Sequence, residues 1–258
     1  MVERAPLEIG RYWRELALLG LIVASALALL LVPPIPQSLA YHEFADRRAL
    51  ARIPNFLNIA SNLPFLIVGI WGLAYCLRRP QHQAPWSWCL VFVGSAAVCF
   101  GSAYYHWEPN SVTLIWDRLP MTVAFMALFV ALLREHVYVK GEGIALALAL
   151  LAGLASVVYW VYTDDLRPYI WVQTVPFLVI ACVLGLFEGK YTHRYFLVYG
   201  LLLYALAKLG ELFDAQIFAL TGERLSGHSL KHLLAAAGVY LLYVMLKRRQ
   251  VRGPAPTA

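Results

Sequence analysis

Eight apolar segments, each of about 20 residues, leave this chain few possible folds. A helix of that length spans the roughly 30 Å hydrocarbon layer of a bilayer. Of the 258 residues, 61% are hydrophobic and 14% are charged, against about 25% charged in soluble domains. The sequence therefore predicts an all-α membrane protein, a seven-helix bundle with one additional N-terminal helix. The predicted spans are Glu15–Val32, Asn55–Leu77, Trp86–His106, Leu114–Leu133, Gly143–Tyr162, Ile170–Phe187, Tyr195–Asp214 and His228–Leu246.

Three regions are expected along the chain. Residues 1–33 form an N-terminal transmembrane helix or signal anchor, residues 34–247 a seven-helix domain, and residues 248–258 a basic tail that we expect to be disordered. The run Leu16–Val32, with the small residues of Ser38-Leu39-Ala40 after it, also fits a cleaved signal peptide. Because the run exceeds the usual apolar core of about 7–15 residues, we interpret it as a retained helix.

The Lys and Arg residues predict the orientation, because they favour the cytoplasmic side. With the N-terminus inside, most of them fall on inside segments, and the C-terminus is also inside. The net charge of +6 suits an anionic cytoplasmic leaflet and requires no nucleic-acid partner. Short loops are typical of a bacterial protein, so we expect a multi-pass inner-membrane protein. The inside set is Arg4, Arg11, Arg14, Arg78, Arg79, Arg134, Lys140, Lys190, Arg194, Lys247, Arg248, Arg249 and Arg252.

Three histidines lie near the ends of predicted spans that face the same side. His106 ends the third span, and His228 and His232 begin the eighth, one helical turn apart. Ionisable side chains are costly at membrane depth, so they are rarely placed there without a function. Catalytic zinc sites typically use three protein ligands and leave one position open. The pattern predicts a zinc site toward the outer, periplasmic face.

Two further polar residues are predicted in the same layer. Ser102 lies one turn before His106, and Asp117 lies in the first turns of the fourth span. Asp117 is a candidate general base or a partner that orients a ligand imidazole. Ser102 is a candidate donor to a developing oxyanion. Each residue also has a structural interpretation: an ion pair of Asp117 with Arg118, a small residue at a helix contact for Ser102, and hydrogen-bonded packing for the histidines.

A second polar group precedes and begins the second span. Carboxylates and amides are oxygen ligands of the kind that calcium prefers, so a calcium site is conceivable. Ion pairs in a loop and amide hydrogen bonds between helices explain the same residues equally well. The candidates are Glu43, Asp46, Asn55 and Asn58.

Four motifs, in order, resemble the alkaline ceramidase family, part of the CREST superfamily that includes adiponectin receptors. The resemblance covers about Tyr41 to Leu246. The motifs are Asn55-Phe-Leu-Asn58-Ile-Ala-Ser61-Asn62, Gly101-Ser102-Ala-Tyr-Tyr-His106, Asp117-Arg-Leu-Pro120-Met121 and His228-Ser-Leu-Lys-His232.

The resemblance implies an intramembrane amidase that hydrolyses the N-acyl bond of ceramide or a related lipid amide. It implies zinc on His106, His228 and His232, with Ser102 and Asp117 beside it. The family's calcium motif, Asp-Trp-x-Glu-x-Asn followed by a glutamate, is not matched, because the chain has Tyr41-His-Glu43-Phe-Ala-Asp46 and then Asn55. This departure argues against calcium. The competing hypotheses are a zinc-containing lipid sensor or scaffold without turnover, and an ion or proton carrier.

Overall fold

The fold is known from a computed structural model that describes residues 12–80, 84–137 and 141–252. Residues 253–258 of the predicted tail lie outside the described residues, as do Arg4, Arg11 and Lys140. The helices are α1 Trp13–Leu30, a 3₁₀ turn at Leu39–His42, α2 Phe56–Ala60, α3 Leu63–Leu77, α4 Trp86–Trp107, α5 Ser111–His136, α6 Glu142–Thr163, α7 Arg167–Leu186, α8 Tyr195–Leu212, α9 Asp214–Leu220 and α10 Gly227–Arg248.

The predicted fold class is confirmed. Eight helical segments of the described chain, with α2 and α3 taken together as one, are long and apolar enough to cross a membrane. The protein is an integral membrane protein built from helices. The inside location of both termini stays a prediction.

The second span differs from the predicted continuous helix. It is divided into α2 and α3 at Ser61 and Asn62. The side chains of both residues donate hydrogen bonds to the carbonyl of Asn58, at 3.2 and 2.8 Å. Pro64, in the first turn of α3, has no N–H to continue the helix. The division places the Ser61 hydroxyl beside His232.

The ends of two other spans also differ from the prediction. α8 ends at Leu212, and the separate short helix α9, which was not predicted, begins at Asp214. α5 begins at Ser111, ahead of the predicted start, because the side chain of Asn110 accepts hydrogen bonds from the first backbone N–H groups. These local capping contacts set the helix ends around the site.

The additional helix α1 packs against α7. The indole of Trp171 donates to the Ser25 hydroxyl at 3.1 Å, and Arg167 donates to the carbonyl of Val32 at 2.6 Å. Leu18 is the buried residue of α1, and most of the helix surface is exposed. The exposed leucines of α1 therefore suit contact with lipid.

Two glycines let helices approach closely beside the histidines. A Cβ at Gly101 of α4 would lie 2.0 Å from the carbonyl oxygen of Trp116 on α5. A Cβ at Gly227 of α10 would lie 2.1 Å from the carbonyl oxygen of Gly210 on α8. Within a membrane no hydrophobic driving force brings helices together. They associate through close van der Waals contacts, which small residues allow. Each glycine directly precedes a candidate site residue, Ser102 or His228.

Candidate metal centre

Three buried histidines meet at the end of the bundle where α4 and α8 end and α5 and α10 begin, which we call the site end. His106 is in the last turn of α4, and His228 and His232 are in the first turns of α10. The Nε2 atoms of His106 and His228 are 3.2 Å apart. One ring nitrogen of each residue lies within 4.8 Å of the others. These three residues are the histidine cluster.

The histidine cluster fits a metal ion. Nitrogens that share a tetrahedral ion at about 2.0–2.1 Å lie roughly 3.3 Å from each other, close to the 3.2 Å between His106 and His228. Nδ1 of His106 is buried and has no hydrogen-bond partner among the described residues. Imidazoles with nitrogens turned toward one another gain favourable partners when a cation lies between them. The cluster could therefore hold a metal ion.

A hydroxyl on the divided second span orients His232. Ser61 Oγ lies 2.8 Å from Nδ1 of His232. The same hydroxyl donates to the carbonyl of Asn58, so its oxygen is free to accept from Nδ1–H. This arrangement leaves Nε2 of His232 unprotonated, as a metal ligand requires.

Backbone contacts and one aromatic ring hold the other two histidines. The amide of Asn55 donates to the carbonyl of His106 at 2.8 Å, and Asp214 accepts from the backbone N–H of His228 at 2.7 Å. The ring of Phe44 packs on both imidazoles, with centroids 4.7 Å from His106 and 4.5 Å from His228. The loop after the 3₁₀ turn therefore covers the cluster.

Ser102 and Asp117 lie on facing helices beside the cluster. Both are buried, at 1% and 8% exposure. Both residues line the same cavity as His232. A carboxylate, a hydroxyl and an imidazole thus face one space.

That cavity has a volume of about 230 Å³ and is mostly apolar. Its body lies between α4, α5, α7, α8 and α10, and its polar residues gather at the site end. This form suits an acyl chain with its polar group near the histidines. The apolar lining includes Phe65, Val98, Met121, Phe125, Ala235 and Val239.

A network of charged residues forms part of the polar wall. Glu211 of α8 accepts from Lys231 at 2.8 Å and from Lys208 at 2.9 Å. The phenol of Tyr41 donates to the same carboxylate at 3.2 Å. Burial and the Glu211 charge raise the pKa of Tyr41 well above its ordinary value, so the phenol stays protonated and can donate.

His42, in the same 3₁₀ turn, is not part of the cluster. Its Nδ1 lies 2.9 Å from the Tyr105 hydroxyl and its Nε2 lies 3.2 Å from the Ser111 hydroxyl. Burial, and then the charge of Arg118, lower the pKa of His42, so the ring is neutral near pH 7. His42 therefore closes the loop over the site through hydrogen bonds.

The residues named as calcium candidates do not converge on one point. Asp46 forms a two-oxygen ion pair with Arg48, with both N–O distances 2.8 Å. The side-chain amide oxygen of Asn58 accepts from the Ser229 hydroxyl at 2.8 Å, while the side-chain NH₂ donates to the backbone carbonyl of Asp46 at 3.1 Å. Asp46, Arg48, Asn58 and Ser229 are the loop cluster. Asn55 is bonded to the backbone of His106, as described, and Glu43 is exposed.

Sequence reasoning did not find Phe44 or assign roles to Ser61 and Asp214. An apolar residue in a loop has no periodic signal, so Phe44 could not be distinguished from packing. Ser61 did stand in a polar stripe with Asn58 and Asn62, and that stripe was the available signal. The role of Asp214 depends on the turn between α8 and α9, which hydropathy does not register.

These features define a class: a membrane-embedded helical bundle with a buried three-histidine group at the polar end of an apolar cavity. The family model described as Ceramidase matches residues 48–254, well over half of the chain. The chain therefore belongs to the ceramidase family, hydrolases that act on an amide bond of a lipid substrate. The match begins after α1. A search of curated proteins found no match to the chain.

Proposed function

We propose that this protein is a zinc-dependent intramembrane amidase that cleaves the N-acyl bond of ceramide or a related lipid amide. The observation that carries the proposal is the meeting of three imidazoles, from α4 and α10, at the polar end of a mostly apolar cavity. Membership of the ceramidase family supports the same reaction class.

His106, His228 and His232 would hold the zinc. When bound, zinc supplies a Lewis acid, which polarises an acyl carbonyl and lowers the pKa of nearby water to about 7. Ser61 keeps the ring of His232 in the ligating tautomer. The cover of Phe44 excludes bulk water from two of the imidazoles.

Asp117 is the proposed proton carrier. It takes a proton from the water whose oxygen adds to the acyl carbon, and it gives that proton to the amine nitrogen as the C–N bond breaks. The products are a fatty acid and an amine, so atoms and charge balance. Ser102 lines the same cavity as Asp117, and its hydroxyl would donate to the oxyanion that develops on the acyl oxygen.

The test combines metal analysis with hydrolysis assays on the purified full chain. We expect about one zinc per chain and release of fatty acid from a panel of ceramides, N-acyl amino lipids and esters. His232→Ala removes a ligand and should abolish both zinc retention and hydrolysis. His193→Ala, at the opposite end of the bundle, is the matched control and should retain both. Full activity in a zinc-free variant would overturn the proposal, and zinc without turnover on any lipid would favour the sensor hypothesis.

We also propose that the site end faces the periplasm of a bacterial inner membrane. The support is the set of basic residues at the opposite end, which the cytoplasmic side favours. A fluorescent protein fused after residue 252 should be fluorescent, and alkaline phosphatase at the same position should be inactive. The reverse result would place the site in the cytoplasmic half. The basic residues at the opposite end are Arg78, Arg79, Arg134, Lys190, Arg194, Lys247 and Arg248.

A further inference from the structure

Arg118 is a buried cation on the cavity wall. It follows Asp117 on α5, and its side chain is 5% exposed. The guanidinium carbon lies 3.9 Å from the centroid of the Trp160 ring and 4.6 Å from that of Tyr169. The two aromatic faces fix the plane of the guanidinium, and they stabilise the cation without neutralising it.

The hydrogen bonds of Arg118 are incomplete. Nη2 donates to the amide oxygen of Gln37 at 2.5 Å, but Nη1 is buried and has no hydrogen-bond partner among the described residues. Within the described ranges, no carboxylate forms an ion pair with this guanidinium. A buried donor without a partner is costly, and more so when it is charged. Arg118 is one of the residues that line the cavity, so a ligand in the cavity would lie next to its guanidinium group.

The charged residues around the cavity, like Arg118 itself, give an excess of positive charge. Among the described residues that line it, three are cations, Arg118, Lys208 and Lys231, and two are carboxylates, Asp117 and Glu211. Glu211 is shared by the two lysines, which leaves each ammonium further N–H donors. Excess positive charge within a membrane bundle is unfavourable, and a metal ion at the histidine cluster would increase it. An anionic ligand would offset it.

We propose that the substrate of this site is an N-acyl lipid whose headgroup carries an oxyanion near the amide, and that the guanidinium group of Arg118 binds that oxyanion. This inference rests on the proposed amidase function. Guanidinium binds carboxylates and phosphates through the same paired N–H geometry, so either oxyanion fits. The ammonium groups of Lys231 and Lys208, which line the same cavity, add long-range attraction for the same charge. Neutral ceramide would leave Nη1 without a partner.

The direct test is binding, measured on the full chain in nanodiscs by competition with a fluorescent fatty-acyl probe. N-palmitoylglycine carries a carboxylate next to the amide, and its methyl ester is nearly the same size but neutral. We expect the acid to bind about tenfold or more tightly than the ester, because hydrogen bonds to charged groups are the strong ones. Equal affinities in the wild-type protein would overturn the proposal without any variant.

Variants then assign the effect to one residue. Arg118→Gln should reduce the acid-to-ester affinity ratio to about one, and a ratio is independent of how much protein is folded. Arg52→Gln, an exposed arginine at the same end of the molecule, should keep the wild-type ratio. A ratio that survives Arg118→Gln would overturn the assignment to Arg118. N-palmitoyl-O-phosphoethanolamine in place of the glycine compound tests the phosphate arm.

Two further arms separate this inference from the proposed function. If N-palmitoylglycine binds selectively but no amide is cleaved, the amidase function fails and the oxyanion site stands. If ceramide is cleaved while acid and ester bind equally, the function stands and the oxyanion site fails. Palmitate is the last probe: if it binds as tightly as N-palmitoylglycine and also depends on Arg118, the site holds the carboxylate of the product, and the headgroup assignment is wrong.

Discussion

The histidine cluster and the loop cluster lie side by side at the site end, and both are polar groups buried in a largely apolar protein. They differ in how their atoms are used. In the loop cluster the carboxylate of Asp46, the amide of Asn58 and the hydroxyl of Ser229 bond to protein groups. In the histidine cluster two Nε2 atoms face each other and Nδ1 of His106 has no partner among the described residues.

The difference shows how to distinguish a binding site from a group of buried polar residues with a structural role only. Buried polar groups in native proteins are hydrogen-bonded in more than about nine cases in ten. Groups bonded to one another complete a structure, as Asp46 and Arg48 do across two residues. Ring nitrogens that converge on one point, as in the histidine cluster, could hold an ion from outside the chain.

Metal removal should have the largest effect, because it acts on the histidine cluster alone. A strong chelator should abolish hydrolysis and lower the thermal midpoint, since an ion bound at about 100 times its Kd contributes about 2.7 kcal/mol of stability. Activity and the midpoint are measured before and after dialysis against zinc or calcium. Zinc should restore both quantities and calcium neither; recovery with calcium alone would reverse the roles that we assign to the two clusters.

Asp117→Asn should have the next largest effect. The amide cannot carry the proton between water and amine, so the hydrolysis rate should fall by about 10²–10⁴-fold. Zinc content should stay at the wild-type level, because Asp117 is not in the histidine cluster. Rates and metal are measured on the same preparation.

The matched control for Asp117→Asn is Asp164→Asn. Asp164 is exposed at the same end and has a positive φ of 52°, a conformation that asparagine adopts readily. This variant should keep the wild-type rate. An Asp117→Asn protein with unchanged turnover would remove Asp117 from the mechanism and leave the metal site in place.

Ser61→Ala should have an intermediate effect on the metal. It removes the group that orients His232, and loss of such a partner typically weakens metal affinity by about 10–100-fold. The measurement is zinc affinity by competition with a chelator of known Kd. Ser156→Ala is the control, because Ser156 is equally buried but bonds to the backbone of its own helix at 2.6 Å. Equal zinc affinities for the two variants would mean that the His232 ring needs no orientation.

The features that could be predicted from the sequence are those that depend on local or periodic patterns. The spans follow from hydropathy, a local property, so all eight were found. The convergence of His106 with His228 and His232 followed from spacing and the alternation of helix direction. The division of the second span at Ser61 and Asn62 depends on side chains that compete for the Asn58 carbonyl, and Phe44 depends on a loop folding back. Those are tertiary contacts without a periodic pattern, and hydropathy does not reveal them.

Asp46→Asn should have the smallest effect, because the loop cluster acts on stability alone. The hydrogen bonds from Arg48 lower the pKa of Asp46 below its ordinary 3.8. A carboxyl whose pKa is lower in the folded protein stabilises it above pH 3.8, and that contribution is lost as the pH falls through the folded pKa. The variant should therefore unfold about 2–4 °C lower than the wild type at pH 7.

Because protonation removes the ion pair from the wild type too, the two unfolding curves should converge below pH 3.8. Tryptophan fluorescence against temperature at several pH values measures the difference in unfolding temperature between the variant and the wild type. If this difference grew in acid, or if Asp46→Asn also lost zinc, the loop cluster would have a role beyond stability.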